Sequence, residues 1–206
     1  MIVEACVESF QEAVKAESNG ADRIELCAEL EIGGTTPSYA LIESTYKVLK
    51  IPIMVMIRPR GGNFNYSTSE IKMMKQSIDI CKSIGVYGIV FGILTNKNLV
   101  DAARTEDLVK HAQPLPITFH KAIDDTPKIP EAVDILKNID GITRILTSGG
   151  CETAMEGAKV INQMVAQTKE KLIIVAAGRI TNENLESIKS KLSTSEFHGR
   201  KIVGKL

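Results

Sequence analysis

What most constrains this chain is alternation. Short β-type runs trade places with helix-type patterns from one end to the other. The strands read as Ile2–Val7, Arg23–Cys27, Ile53–Arg58, Tyr87–Ile93, Pro116–His120, Thr143–Thr147, Leu172–Ala176 and Glu196–Arg200. Strict βα alternation implies a parallel sheet with right-handed crossovers. Eight units point to a closed α/β barrel, the (β/α)8 or TIM barrel, ahead of an open doubly wound sheet. A single domain over residues 1–206 is expected, since this length suits one sizeable core and is short for two. It is also near the lower end for the barrel, so the eighth helix is expected to be short or missing. An ordered tail or an oligomer interface would then cover the seam between the first and last strands.

Helix boundaries carry their own signals. Ser9 with Glu12, and Ser67 with Glu70, have capping-box spacing, while Gly20 and Gly85 read as stops. Pro37 is placed in the first turn of the second helix, Pro130 leads in the fifth, and Thr181 caps the last. Cys151, after a Gly-Gly turn, is placed at a helix start.

Composition matters chiefly for what it argues against. Lys+Arg and Asp+Glu balance at 25 each, leaving no global field to draw in nucleic acid or anionic membrane. Trp is absent and aromatic residues are scarce, so base-stacking platforms are not expected. Met1-Ile2-Val3-Glu4 reads as an immediate strand rather than a signal peptide, and no apolar run approaches the roughly 20 residues of a membrane helix. Cys6, Cys27, Cys81 and Cys151 are widely spaced and form no C-x-x-C, which suits free thiols in a reducing compartment, the cytoplasm.

Alternate residues of a barrel strand point inward, and barrel sites gather where the strands end. By that parity Glu4 and Cys6 share a face, as do Arg23, Glu25 and Cys27, then Met54, Met56 and Arg58, then Thr118 and His120. The interior then holds two carboxylates on adjacent strands with arginines able to neutralise them. They form either a barrel-filling ion lattice or a charged site for a small anionic ligand, with Glu25, Arg58 and His120 facing it. Glu4 belongs to the same candidate set. Cys6 and Cys27 are expected at equivalent positions one pleat beyond Glu4 and Glu25. Strands lie about 4.8 Å apart, so the sulfurs either hold one soft ion such as Cu(I) or simply fill the barrel. Turns at Arg58-Pro59-Arg60-Gly61-Gly62 and Ser148-Gly149-Gly150 are candidate anion cradles, through Arg60 and through backbone amides.

The stretches EACVES (Glu4–Ser9), GADRIELCAEL (Gly20–Leu30), GGTTPS (Gly33–Ser38), VMIRPRGGNFNYS (Val55–Ser67), ITFHKAID (Ile117–Asp124), ILTSGG (Ile145–Gly150) and EFHG (Glu196–Gly199) together resemble the CutC family, described as copper homeostasis proteins. The resemblance implies a (β/α)8 barrel, a cytoplasmic location, a homodimer or homotetramer, and Cu(I) held by Cys6 and Cys27. The chain departs from the family at Lys121, usually Arg, and around Ala176-Ala177-Gly178-Arg179, where a glycine-rich turn is usual. Copper handling is therefore the first functional expectation. The alternative is an enzyme in which Arg58 holds a small anion, phosphorylated ones included, and His120 or Glu25 moves a proton.

Overall fold

The computed structural model describes residues 1–169 and 171–206. Its strands are β1 (Ile2–Val7), β2 (Arg23–Leu26), β3 (Ile53–Met56), β4 (Gly88–Phe91), β5 (Ile117–Phe119), β6 (Ile142–Thr147), β7 (Ile173–Ala176) and β8 (Glu196–Gly199). Between them run α1 (Phe10–Ser18), α2 (Tyr39–Val48), α3 (Thr68–Ile84), α4 (Ala102–Ala112), α5 (Ile129–Leu136), α6 (Ala158–Thr168) and α7 (Leu185–Lys189). Every strand pairs in parallel with its sequence neighbour, and β8 pairs with β1 to close the barrel. The expected (β/α)8 barrel is what the chain forms.

Parity sorts the strand residues into two cores. Val3, Ala5, Ile24, Leu26, Val55 and Ile57 pack outward under the helices in one continuous cluster. Cys6, Cys27, Met54, Met56 and Val90 form a separate inner cluster. The register, however, is sheared. Glu4 stands opposite Arg23 and Cys6 opposite Glu25, so Cys6 and Cys27 are not level as expected. The strand tilt that closes a barrel imposes this stagger.

Strands run shorter than expected at their C-terminal ends, leaving Cys27, Arg58 and His120 just beyond β2, β3 and β5. Ser67 and Glu70 complete a reciprocal capping box. At α1 Ser9 caps the Glu12 N–H, but the Glu12 carboxylate accepts from Glu8 rather than from Ser9. Pro37 precedes the cap Ser38 instead of entering α2. Thr181 lies a turn before α7, whose cap is Asn184. Cys151 falls in a turn segment well before α6, not at a helix start.

Among the described residues no helix follows β8. The tail itself packs on the seam instead: Lys201 bridges Thr181, and Ile202 is buried in the outer core with Val203 and Leu206 against it.

Candidate metal centre and ligand pocket

The lower barrel is an ion lattice. Arg23 donates to Glu4 and, at 2.5 Å, to Glu196 Oε2, which also accepts from Arg144 Nε at 3.0 Å. His198 Nδ1 lies 2.9 Å from Glu4 Oε1. All five side chains are buried. Burial pushes the Glu4 carboxyl up, but His198 and Arg23 beside it win and hold it at about 2. The lattice foreseen for the barrel interior therefore exists, and Glu4 belongs to it.

One pleat higher the chemistry changes. One oxygen of Glu25, Oε2, lies 3.4 Å from Cys6 Sγ and 3.5 Å from Cys27 Sγ. One ligand atom from each of the three residues lies within 4.8 Å of the other two. So close a trio cannot ionise fully, because like charges in a dry site repel. Cys6 is the member that gives up its proton: the hydrogen bond from Cys27 pulls it down to about 5 against the pull of burial, and His198 adds to the effect. The same bond, with burial, drives Cys27 well up. Burial raises the Glu25 carboxyl well above its usual range; His198 opposes this, and the Cys6 and Glu4 charges add to it. Burial disfavours a charged His198, yet Glu25, Cys6 and Glu4 outweigh it and raise the ring well above its usual range. Cys6 and His198 are thus shifted in opposite senses, each favouring the charged form of the other.

Above this cluster opens a cavity of about 170 Å³, bounded by Cys6, Glu25, Cys27, Arg58, His120 and His198 among others. Arg58 lies across the Phe64 ring at 4.8 Å, and the His120 ring meets the same Phe64 at 4.8 Å. His120 Nδ1 accepts from the Ala122 N–H at 3.1 Å. Burial, reinforced by the Arg58 charge, holds the imidazole at about 3 and hence neutral near pH 7. Its proton therefore sits on Nε2, which has no partner. Gly92 makes room for this ring, since a Cβ there would sit 2.6 Å from His120 Nδ1.

Other expected anion sites lie elsewhere and are already engaged. Arg60 bonds Glu70 at 2.5 Å and carbonyls of its own loop. The Ser148 and Gly150 amides both donate to the Asp124 carboxylate, at 2.9 and 3.0 Å, while the Gly149 amide donates to Thr147 Oγ1 at 2.8 Å. Lys121 Nζ pairs with Asp124 at 2.8 Å. The glycine turn thus cradles an internal carboxylate.

Sequence reasoning assigned no role to His198, Glu196, Arg144, Phe64 or Asp124. Strand parity would have found three of them, because Glu196 and His198 share a face of β8 and Arg144 lies on the inward face of β6, just as Thr118 and His120 share one near β5. Phe64 and Asp124 lie outside the strands and carried no periodic signal.

A closed (β/α)8 barrel with two thiols and a carboxyl converging at its C-terminal mouth defines a TIM-barrel protein with a candidate soft-metal centre. The chain belongs to the CutC family, which it matches over residues 1–203. It is 42% identical to the human copper homeostasis protein cutC homolog over 197 residues, 96% of this chain and 72% of that protein. A CutC family protein of Enterococcus faecalis is 38% identical over 210 residues, covering 98% of this chain and all of the other. The solved structure of a CutC protein from Streptococcus agalactiae superposes with a TM-score of 0.93 at 34% identity, covering 98% of this chain and 99% of that one.

Proposed function

We propose that this chain takes part in copper homeostasis by binding one Cu(I) ion between Cys6 and Cys27. The observation that carries the reading is the convergence of two sulfurs and a carboxyl within 4.8 Å. Thiolates are the preferred donors of soft Cu(I), whereas a carboxyl and an imidazole alone would suit harder ions. Cys6 stands ready as a thiolate, so binding needs only to displace the Cys27 proton. Glu25 is placed to complete the coordination, and the cavity is both the way in for the ion and the way out for that proton.

The test is an anaerobic Cu(I) titration of the reduced protein against a chromophoric chelator. About one ion per chain is expected, with affinity collapsing in Cys6→Ser and in Cys27→Ser. Glu25→Gln should weaken binding roughly 10- to 100-fold, as neighbours of metal ligands do. Unchanged affinity in both cysteine variants would overturn the reading. It requires a reducing compartment, which we take to be the cytoplasm. We also propose a homodimer or homotetramer, as the family resemblance implies, checked by light scattering.

A further inference from the structure

Arg58 is a buried cation without a counter-ion. Its guanidinium donates to the carbonyls of Ile32 at 3.3 Å, Gly34 at 3.0 Å and Gly62 at 2.7 Å, and pairs with no carboxylate among the described residues. Its neighbours' charges are already spoken for. Arg23 and Arg144 are met by Glu4 and Glu196, and Lys121 by Asp124. Arg58 is left as a mouth cation with no carboxylate against it among the described residues, and a buried charge is costly unless something opposes it.

The unpartnered atoms tell the same story independently. Arg58 Nε, His120 Nε2 and Glu25 Oε1 are buried with no hydrogen-bond partner, and all three residues line the one cavity. Phe64 holds Arg58 and His120 on its ring, each at 4.8 Å, which brings a guanidinium and a neutral N–H donor together. Such a wall asks for an acceptor carrying negative charge.

We infer that the mouth binds a small organic monocarboxylate, its carboxylate set against Arg58 and His120 and its short carbon body against Leu30, Met56 and Leu146. A single leftover cation matches one negative charge, whereas a phosphate dianion would bring a second that nothing there neutralises. A space of about 170 Å³ is small beside the pockets that hold drug-sized ligands, which suits a short-chain acid. This site shares its cavity with the copper reading but rests on Arg58 and His120 rather than on the cysteines, and metal-free protein tests it alone.

The test follows the His120 Nε2–H signal by NMR in reduced, chelator-treated protein while propanoate is added. Parallel titrations use propanamide, its uncharged isostere, and inorganic phosphate. Propanoate should shift the signal saturably and bind at least tenfold tighter than propanamide or phosphate. His120→Phe, followed by calorimetry, should bind propanoate about tenfold or more weaker, the cost of one hydrogen bond to a charged group. Equal binding of propanoate and propanamide, a preference for phosphate, or unchanged propanoate affinity in His120→Phe would each overturn the assignment. Should His120→Phe fail to fold, the comparison of the two isosteres decides by itself.

Discussion

Cys6 owes its character to three neighbours rather than to its own position in the chain. Cys27 and Glu25 hydrogen-bond with it, and His198 supplies the positive charge that favours a buried thiolate. Removing that cation should be visible. In a Cys81→Ser, Cys151→Ser background, iodoacetamide should alkylate Cys6 with a rate that titrates near pH 5. His198→Gln should move that midpoint up by at least one pH unit, a rise of order 1.4 kcal/mol in the cost of the thiolate. A midpoint that stays put would remove His198 from the account. Cys81 makes the contrast, since burial without a partner pushes its thiol up to about 12. The candidate thiols were legible from strand parity, but the difference between them was not, because it depends on which neighbour each meets. The barrel's stagger decides that, setting Cys6 against Glu25 instead of beside Cys27.

At the scale of elements, caps and close approaches do most of the positioning. The Ser67–Glu70 box was readable because both halves are local in sequence, and it starts the 17-residue α3. Ser67→Ala should cost about 1 kcal/mol in chemical denaturation, the usual value of such a cap. Gly92 sits after β4 where the His120 ring presses in, so Gly92→Ala should destabilise by about 1–3 kcal/mol through overpacking. That variant should also displace the His120 ring, visible as a changed imidazole resonance. A Gly92→Ala protein as stable as its parent would show that the ring has room to spare. Loops were the least legible elements. Arg58 was expected to face a small anion, yet backbone carbonyls of two glycine-containing loops take most of its donors. Neither loop announces that grip in its residue pattern, since any residue's carbonyl can accept.

For the whole molecule the eightfold alternation was enough to specify the barrel, because parallel strands with short crossovers have few other ways to bury both faces. The way its seam is covered was left open, and the tail supplies the answer through Ile202. Ile202→Ala should cost about 2–4 kcal/mol, measured as a lowered urea midpoint, since it removes a buried side chain from the barrel's join. The interior also sets a pH profile. The neutral His120 ring has its pKa lowered to about 3, so its contribution is whole above about pH 6.5 and drains away as pH falls toward 3. Glu4, lowered to about 2, contributes above about pH 4.5 and loses that contribution below it. Relative to His120→Phe, wild-type protein should therefore lose an extra part of its urea midpoint as pH falls from about 6.5 toward 3. Two profiles that run parallel through that window would contradict the assignment. Asp124 carries a last consequence. Its carboxylate occupies the seat that the Ser148 and Gly150 amides would otherwise offer to a phosphate group, so this barrel comes with a tethered competitor built in. Ancestry and engineering alike would have to evict that one residue before a sugar phosphate could become a customer of the turn.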